Sequence, residues 1–595
     1  MAEPDLGDNL AQMFRARARR LGDRPLLWAK LEGQYRPWSW RRVEEDALAI
    51  AAVLAANGLM PGDRVLLVAE NRPEWCIADL AILLAGGITV PTYVTNTVDD
   101  HAYILAHSEA RIVVCSGPQL ARRVLPAVRQ TGGVRLVLFM DPVEEGAGPG
   151  LATLAWSDAL AQASTLPPVD HSERLSADSL ACFIYTSGTG GRPKGVMLSH
   201  RNIMANLRGA ASVLEPLGIE EVVFLSFLPL SHAYEHTAGQ FLPIALEGQI
   251  YYAEGVETLS TNLVEARPAI LTCVPRLYEV FRQRMVSTVA RQGGLNARLF
   301  HKAVELGSRR YRNGGRLSLV DDLLDRALER LVRDKVRARF GGRLKAMVSG
   351  GAPLNFEVGL FFTALGLPVA QGYGQTEASP VVSVNPPWRA KLDTVGPPLP
   401  GVELAFAGDG EILVRGDLVM KGYWKDEAAT AAALADGWLH TGDIGELDGE
   451  GYLKITDRKK DIIVLSGGDN VAPQRIEGVL VLEPEIGQAI VLGDRRPAVV
   501  ALLVPDAEAV KSFAREHGMK PEIAAVAAHE SFHKRMAAAV ARANARLSPI
   551  ERIRRFHVLG EPFTVENEMM TPTLKLRRHV IERRHREVLE GLFGT

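Results

Sequence analysis

Cysteine is scarce in this chain: its 595 residues include four cysteines, and none of them belongs to a C-x-x-C pair. A disulfide scaffold and a cysteine-rich zinc or iron–sulfur site are therefore excluded, and a reducing compartment is favoured. A surplus of one charge is also missing, because 68 Lys and Arg nearly balance 70 Asp and Glu, giving a net charge of −2. This balance excludes a globally basic protein, and no nucleic-acid partner is expected.

Long hydrophobic runs are missing as well. The most apolar stretch near the start, residues 76–91, carries Asp79 and is too short to span a bilayer. The N-terminus is acidic and lacks the apolar core of a signal peptide. Hydrophobic residues still make up 47% of the chain, which excludes intrinsic disorder. We therefore expect a cytoplasmic globular protein.

Predicted helices and strands alternate along much of the chain. A helical pattern over 43–59 is followed by an apolar strand over 64–69 and a helix over 75–85. This order, with short Gly and Pro turns between the elements, predicts a parallel α/β sheet. The same rhythm recurs between 222 and 373. Residues 275–342 instead form a helical insertion, whose mixed charges we interpret as a solvated face packed on the main lobe.

The expected fold class is α/β, in two domains. The N-terminal domain, 1–456, would comprise two α/β subdomains and a small β-barrel-like subdomain at about 390–456, where short β-like segments are separated by many Gly turns. The charged residues 457–460 would form the hinge between the domains. The C-terminal domain, 461–595, mixes strands with helices and is expected to be small, mobile and α+β.

The strongest local signal follows an apolar strand at 180–184. Residues 185–196 contain several hydroxyls, glycines and a lysine, and backbone N–H groups and hydroxyls in such a loop can surround phosphate oxygens. The spacing is not that of a Walker A loop, so kinases, ligases and phosphatases all stay open. A flexible Gly/Ser turn is the alternative. The candidate phosphate ligands are Thr186, Ser187, Gly188, Thr189, Gly190, Gly191 and Lys194.

A second string, 371–377, also follows a predicted strand and so lies at the sheet edge where α/β proteins bind ligands. Tyr373 is flanked by glycines, so its ring face can meet a planar base. Thr376 offers a hydroxyl donor, and Glu377 offers an oxygen ligand for a hard cation such as Mg2+. A turn without a binding role is the alternative.

Three weaker strings complete the pattern. Asp443 follows a Thr-Gly turn and can accept hydrogen bonds from two ribose hydroxyls, although such turns are common. Arg458 lies in a charged run and can reach a ribose or a phosphate, but a solvated run is the default interpretation. Lys575 follows a Thr-Pro-Thr turn, which presents it from a loop; a surface basic patch is the alternative.

In this order and spacing, the five strings resemble those of the adenylate-forming superfamily of acyl-CoA synthetases, luciferases and adenylation domains, over residues 10–578. Within that superfamily the chain looks like an AMP-forming long-chain fatty acid–CoA ligase, a branch in which a helical insertion like the one seen here is typical. The further strings that support this branch lie at 90–93, 228–232, 274–278, 340–343 and 349–354.

The resemblance implies a two-step reaction that uses ATP, Mg2+ and coenzyme A. A fatty acid carboxylate would attack the α-phosphorus of ATP to give acyl-AMP and pyrophosphate, and the thiol of coenzyme A would then form acyl-CoA and release AMP. Transfer to an acyl carrier protein, or another bulky carboxylic acid as substrate, are the alternatives. A decayed nucleotide-binding protein is disfavoured, because Lys575, Glu377 and Asp443 are all retained.

The same resemblance implies roles for the candidate residues. Lys575 would bridge the substrate carboxylate and the α-phosphate, and His232 would lie near that carboxylate unless it is a core histidine. Glu377 and Thr186 would bind Mg2+. The other ATP contacts would come from Thr376 on the α-phosphate, Asp443 and Arg458 on the ribose, Tyr373, Gly351, Ala352, Gln371, Gly372 and Gly374 around the adenine, and the loop from Thr186 to Lys194 on the β- and γ-phosphates. Lys460 would be the hinge, and Gly467 and Gly468 would border the pantetheine path of coenzyme A.

The chain also departs from the family pattern. Gly190 stands where many members have a threonine, which removes one hydroxyl, and Leu574 stands where many have a glycine. The residues after His232 are less standard, which leaves the acyl pocket undefined. Peripheral contact between the basic residues at 577–586 and the inner face of a membrane is a further hypothesis, although a solvated helix face is favoured.

Overall fold

The computed structural model describes residues 6–144, 151–186, 192–459, 461–467 and 469–594. Within these ranges, the N-terminal part of the chain forms two eight-stranded sheets with helices packed on them, and a smaller antiparallel sheet. The C-terminal part forms a two-stranded and a three-stranded sheet with helices. This architecture confirms the predicted α/β fold class.

The first large sheet is parallel over most of its width and ends in an antiparallel hairpin. The two strands of that hairpin are the ones that precede and follow the predicted phosphate loop. The strands, in spatial order, are Gly422–Tyr423, Lys194–Ser199, Leu180–Thr186, Ile88–Pro91, Arg64–Val68, Ile112–Cys115, Leu136–Phe139 and Ala152–Ala155.

The second large sheet has a parallel centre and one antiparallel strand at each edge. The strand that carries the Gly-Tyr-Gly string lies next to one edge. The strands, in spatial order, are Val381–Val384, Val369–Gly374, Ala346–Ser349, Ile270–Cys273, Val223–Ser226, Gln249–Tyr252, Pro25–Leu31 and Gln34–Ser39.

Helix Pro73–Leu84 shares its core with side chains of both large sheets, and all its residues except Glu74 are buried. Burial on every side explains why its sequence is apolar all round rather than on one stripe. No helix among the described residues is long and apolar enough to cross a membrane. The other helices that accompany the two sheets are Leu10–Leu21, Trp40–Ala56, Val98–Ser108, Pro118–Thr131, Trp156–Ala163, His200–Leu214, Ala233–Glu235, Leu242–Ala245, Leu259–Ala266 and Phe356–Ala364, with a π-helical turn at His236–Phe241.

The predicted helical insertion is helical. It consists of Pro275–Gln292, Gly294–Arg312, Leu319–Leu328, a π-helical turn at Glu329–Arg333, and Asp334–Arg339. The interpretation of its charges as a solvated face is wrong for one helix, Leu319–Leu328. There Asp325 is buried while Leu319 and Val320 are exposed, because the carboxylates of this helix pair with arginines of the neighbouring elements.

The small antiparallel sheet precedes the C-terminal domain. Its strands are Glu403–Phe406, Glu411–Arg415, Leu434–Ala435, Trp438–Leu447 and Leu453–Arg458, and helix Glu427–Ala433 lies beside it. The C-terminal strands are Ile463–Val464, Asn470–Val471, Ile486–Leu492, Val500–Pro505 and Arg555–Val558. The C-terminal helices are Pro473–Leu480, Ala507–Glu516, Ile523–Ala527, Glu530–Asn544, Arg578–Arg584 and Arg586–Phe593.

The C-terminal part docks on the rest of the molecule through backbone carbonyls. The Arg276 guanidinium donates to the Gly487 carbonyl and the Asn355 amide to the Gly478 carbonyl, both at 2.8 Å. Leu482 is buried in the same apolar cluster as residues of the second large sheet. This docking determines which C-terminal residues can reach the nucleotide strings. The domain limits and the hinge at 457–460 stay predictions.

Candidate active site

The hairpin that carries the predicted phosphate loop is described at its two ends. Thr186 ends one strand and faces Lys194, the first residue of the next strand, in the antiparallel register. The Lys194 ammonium lies 3.7 Å from the Asp426 carboxylate and 4.9 Å from the centre of the Tyr423 ring. The loop residues between the strands, Ser187, Gly188, Thr189, Gly190 and Gly191, lie outside the described residues.

Tyr423 links this hairpin to the Gly-Tyr-Gly string. Its short strand pairs with Lys194–Ser199, and its hydroxyl donates a hydrogen bond of 2.8 Å to Glu377 Oε1. Sequence analysis missed Tyr423, because its role depends on the pairing of two segments that are far apart in the chain. Tyr423 therefore orients the carboxylate that was predicted to bind a cation.

Glu377 suits a Mg2+ ion that arrives with a nucleotide. Among the described residues, no group of three or more His, Cys, Asp or Glu could hold a metal ion by itself. Proteins commonly hold Mg2+ through one or two carboxylates together with substrate phosphates and water. A single carboxylate oriented by Tyr423, whose ring also contacts the Lys194 ammonium, matches that pattern. The second predicted ligand, Thr186, lies at the end of the strand that faces Lys194.

Backbone packing explains the glycine at position 374. A Cβ atom on Gly374 would lie 1.8 Å from the Pro380 carbonyl oxygen, so a larger residue does not fit. Beyond this close approach the chain enters a 3-10 turn, Thr376–Ala378. The buried Thr376 thus follows the carboxyl end of a strand, which is where α/β sheets bind their ligands.

Gln371 positions the turn that contains Gly351 and Ala352. Its side-chain oxygen accepts a hydrogen bond of 3.2 Å from the Leu354 backbone, and its side-chain nitrogen donates one of 2.6 Å to the Leu392 carbonyl. Gly351 and Ala352 are exposed. Because both polar atoms of the Gln371 amide bind the backbone, its contribution to a nucleotide pocket is to hold this turn in place.

Asp443 joins three of the predicted residues in one contact network. It accepts a hydrogen bond of 2.7 Å from the Tyr373 hydroxyl, and its other oxygen lies 3.3 Å from Nε of Arg458. Asp443 and Arg458 are direct partners across neighbouring antiparallel strands. Burial raises the pKa of Asp443, and the Arg458 guanidinium partly offsets that effect. The structure thus brings together residues predicted from three separate strings.

Lys575 enters this region from the C-terminal part of the chain. Its ammonium lies 3.8 Å from the position that a Cβ atom would occupy on Gly351. Burial and the nearby Arg458 guanidinium lower the pKa of Lys575 to about 8, while the carboxylates of Asp443 and Asp461 act in the opposite direction. The lysine therefore stays mostly protonated at pH 7, and it adds a second cation beside Arg458 where an anion can bind.

The loop that carries Lys575 is held by its own hydrogen bonds. The Thr571 backbone donates to the Lys575 carbonyl at 2.8 Å, and Thr571 Oγ1 accepts from the Lys575 backbone at 3.0 Å. Leu574 has a φ of +61°, a region that glycine adopts without strain. This conformation explains the glycine that many family members have there. The Leu574 side chain packs against the N-terminal core, which helps to offset the cost.

His232 lies close enough to Lys575 to feel its charge, and it is neutral at pH 7. Its Nδ1 accepts a hydrogen bond of 3.2 Å from the Tyr234 backbone. Burial and the Lys575 charge lower the pKa of His232 to about 3. A neutral imidazole whose Nδ1 accepts a bond carries its proton on Nε2, so His232 can donate one hydrogen bond from Nε2 to a substrate oxygen.

Glu235 is a buried acid that sequence analysis missed. It accepts hydrogen bonds from the hydroxyls of Ser226 at 2.6 Å and Thr272 at 2.8 Å. Burial raises its pKa to about 7. A Cβ atom on Gly239 would lie 2.3 Å from the Glu235 carboxyl carbon, so that glycine makes room for the acid. The only sequence signal was the unusual string after His232.

The residues predicted for the hinge and for coenzyme A are only partly described. Lys460 and Gly468 lie outside the described residues. Lys459, just before the hinge position, binds the carboxylates of Asp409 at 2.6 Å and Glu411 at 2.7 Å. Gly467 is exposed, and apart from its chain neighbours only Asp469, of the described residues, lies within 4 Å of its Cβ position. The structure therefore does not bring Gly467 to the cluster around Lys575.

The cluster of Tyr373, Asp443, Arg458 and Lys575 combines side chains from the N-terminal and C-terminal parts of the chain. The chain belongs to the family of AMP-binding enzymes: the profile of that family matches residues 14–424, and the profile of the AMP-binding enzyme C-terminal domain matches residues 460–595. The predicted membership of the adenylate-forming superfamily is thereby confirmed.

Relatives align over nearly the whole chain. Long-chain-fatty-acid–CoA ligase FadD15 of Mycobacterium tuberculosis is 34% identical over 603 residues, which cover 99% of this chain and 97% of the relative. Long-chain-fatty-acid–CoA ligase 6 of Homo sapiens is 32% identical over 618 residues, which cover 98% of this chain and 86% of the relative. The similarity therefore includes both domains.

Solved structures show the same fold at lower identity. The adenylation domain of a carboxylate reductase from Mycobacterium chelonae has a TM-score of 0.80 at 23% identity, covering 99% of this chain and 92% of that one. The o-succinylbenzoate CoA synthetase MenE from Bacillus subtilis, solved with an acyl-adenylate intermediate, has a TM-score of 0.68 at 21% identity, covering 97% and 98%.

Proposed function

We propose that this protein is an AMP-forming long-chain fatty acid–CoA ligase. It would convert a fatty acid and ATP into acyl-AMP and pyrophosphate, and then transfer the acyl group to coenzyme A. Full-length similarity to several long-chain-fatty-acid–CoA ligases supports the overall reaction. The single observation that carries the proposal is the entry of Lys575 beside Gly351, in a cluster with Asp443 and Arg458.

The first half-reaction requires two anions to approach each other. A carboxylate oxygen attacks the α-phosphorus, the bond from that phosphorus to the bridging oxygen breaks, and pyrophosphate leaves with the electron pair. Lys575 contributes positive charge between the carboxylate and the α-phosphate, and Thr376 donates a hydrogen bond to an α-phosphate oxygen. Fixed charge of this kind favours the transition state more than the separated substrates. No proton has to be transferred in this step.

The rest of the site would hold the nucleotide. Asp443 accepts hydrogen bonds from the ribose hydroxyls, and its bonds to Tyr373 and Arg458 fix its orientation. The ring of Tyr373, with Gly372 and Gly374 on either side, contacts the adenine. Gly351 and Ala352 line the same pocket, and Gln371 holds their turn in place. Lys194 and the loop from Thr186 to Gly191 bind the β- and γ-phosphates.

A bound Mg2+ ion would neutralise phosphate charge. Glu377 would bind that ion, and the hydrogen bond from Tyr423 that fixes one of its oxygens supports this role. Thr186 is the proposed second ligand. The observation behind this donor set is the hydrogen bond from Tyr423 that orients the Glu377 carboxylate.

The second half-reaction needs a different face of the C-terminal domain. Rotation of residues 461–595 about the hinge at Lys460 would remove Lys575 and bring Gly467 and Gly468 to the acyl-adenylate, beside His232. Lys459 is tied to Asp409 and Glu411 of the small sheet, so it would stay with the N-terminal domain. The coenzyme A thiolate then attacks the acyl carbon, and AMP leaves with the oxygen that joined it to the acyl group.

An isotope experiment tests the route. We expect a fatty acid labelled with oxygen-18 in its carboxylate to transfer one labelled oxygen to AMP, because a carboxylate oxygen attacks the α-phosphorus and leaves with AMP. Mass spectrometry of the products measures this transfer. Label in inorganic phosphate, with ADP as the other nucleotide, would show attack on the terminal phosphorus and contradict the proposal.

A further inference from the structure

Helix Leu319–Leu328 of the helical insertion, which we name the exposed helix, presents one apolar face to solvent, while Leu328 at its end is buried. Leu319 is 91% exposed, Val320 78% and Leu323 74%. Leu324 and, in the next turn, Leu331 are also exposed. The spacing of residues 319, 320, 323 and 324 places them on one face of the helix. Contiguous exposed apolar residues on a soluble chain mark an interaction surface.

The three aspartates of the exposed helix face the protein, whereas Arg326 is exposed. Asp321 pairs with Arg309 at 2.9 Å, Asp322 pairs with Arg310, and the buried Asp325 pairs with Arg333. Arg309 and Arg310 belong to the neighbouring helix Gly294–Arg312, and Arg333 ends the π-helical turn that continues the exposed helix. The usual orientation of an amphipathic surface helix is therefore inverted, since ion pairs attach the helix and the apolar face points away.

The inward ion pairs leave the outer surface basic. Within the described part of the chain, Arg316, Arg330, Lys335 and Arg339 make no salt bridge, and all four are exposed. Arg316 precedes Leu319 by three residues, and Arg330 is next to Leu331. The surface thus combines apolar side chains with cations that make no salt bridge among the described residues.

We propose that the exposed helix docks on a membrane surface that contains anionic lipids. Leu319, Val320 and Leu323 insert between the acyl chains, and Arg316 and Arg330 contact the phosphates of the headgroups. An interfacial helix with an apolar face and flanking Lys or Arg binds membranes in this way. Contact is peripheral, because it uses only one face of a short helix.

A second copy of the chain fits this surface less well. In a two-fold symmetric dimer the same patch would face itself. Arg316 and Arg330 of one copy would then approach the unbalanced cations of the other, and like charges repel. An anionic bilayer supplies both the apolar interior and the opposite charge.

The basic residues near the C-terminus lack this combination. Arg578 is paired with Glu477 at 2.6 Å, and Arg584 with Glu561 at 3.2 Å. Among the described residues from 577 to 586 there is no exposed large hydrophobic side chain. The membrane hypothesis that began with those arginines is therefore better assigned to the exposed helix.

Vesicle co-sedimentation of the full-length protein tests the proposal. We expect binding to vesicles of phosphatidylcholine mixed with phosphatidylglycerol, weaker binding to phosphatidylcholine alone, and a decrease as salt rises. The double variant Leu319→Gln/Leu323→Gln should lower the partition coefficient at least about tenfold, because it removes two inserting side chains. Met60→Gln, at a 64% exposed apolar residue outside the insertion, is the matched control and should bind like the wild type.

Several results would overturn the proposal. Equal binding by the double variant and the wild type would do so, as would no binding of the wild type to anionic vesicles. A wild-type dimer in lipid-free sedimentation velocity that becomes monomeric in the double variant would identify a self-association surface instead. ATP–pyrophosphate exchange with a soluble medium-chain acid should be unchanged in the variant and shows that it is folded. The vesicle assay contains neither ATP nor coenzyme A, so its outcome is independent of the proposed ligase activity.

Discussion

Replacing Lys575 by methionine keeps the hydrocarbon stem and removes the ammonium, so it isolates the charge. The structure places this ammonium beside Gly351 and near Arg458, where the carboxylate and the α-phosphate would meet. Removing one preorganised charged contact from a developing anion typically lowers kcat by about 10²–10³-fold. We expect a loss of that size for Lys575→Met in acyl-adenylate formation, measured as ATP–pyrophosphate exchange dependent on a fatty acid.

The same variant should have little effect on the second half-reaction. Starting from synthetic acyl-AMP and coenzyme A, we expect thioester formation by Lys575→Met to stay within about threefold of the wild type, since that step needs no charge between two anions. Lys511→Met is the matched control. Lys511 is an exposed lysine of the C-terminal domain that pairs with Glu508 at 2.9 Å, and its loss should affect neither step.

The pKa of Lys575 adds a pH test. Because that pKa lies at about 8, the wild-type exchange rate should fall as the pH rises through about 8 and the ammonium loses its proton. Bound anions favour the charged form and shift the inflection upward. Lys575→Met should lack this alkaline decrease. An equal loss in both half-reactions, or an alkaline decrease that survives in the variant, would refute the assigned role.

Three further predictions concern other parts of the site and its support. Glu377→Gln should raise the Mg2+ concentration that gives half-maximal pyrophosphate exchange about tenfold or more, and an unchanged Mg2+ titration would contradict its role as a ligand. Asp443→Asn should raise the KM for ATP about 10- to 100-fold, because it weakens the charged hydrogen bonds to the ribose hydroxyls. This effect should shrink when deoxy-ATP replaces ATP. The pKa of Glu235 is about 7 in the folded protein, whereas a glutamate in the unfolded chain has a pKa of about 4.3. The wild-type free energy of unfolding should therefore fall by about 3 kcal/mol between pH 5 and pH 8, relative to that of Glu235→Gln. Urea unfolding of both proteins at the two pH values measures this difference, and parallel pH profiles would show that Glu235 is already ionised at pH 5.

Periodicity predicted the sheets well because burial imposes it directly. The strand predicted at 64–69 is observed as Arg64–Val68, and the helix predicted at 75–85 is observed as Pro73–Leu84. The apolar run of that helix was separable from a membrane span by its length. Its position between the two sheets came only from the structure, since it depends on which strands pair across a long stretch of chain.

The site was predictable where a motif is local and unpredictable where contacts join distant strands. Tyr373 and Asp443 were selected from separate strings, but their 2.7 Å hydrogen bond depends on the packing of two sheets. Tyr423 was missed because it acts through an edge strand of two residues. Leu574 departs from the glycine of many family members, and its positive φ explains why glycine suits that position.

The exposed helix shows the limit of an amphipathic pattern. The spacing of its leucines and aspartates indicates two faces correctly, but spacing does not tell which face is turned inward. Here the answer depends on Arg309, Arg310 and Arg333, which lie on neighbouring elements and bind the aspartates. A sequence pattern can therefore identify a two-faced helix while assigning its solvent side wrongly.

Product formation from ATP, Mg2+ and fatty acids of graded chain length, with and without coenzyme A, tests the central claim most directly. We predict that AMP and pyrophosphate are released in equal amounts, that turnover increases when coenzyme A is added, and that an acyl-CoA thioester accumulates with a maximum at long chains. Accumulation of acyl-AMP without a thioester in the presence of coenzyme A, or AMP release that does not depend on the fatty acid, would contradict the account.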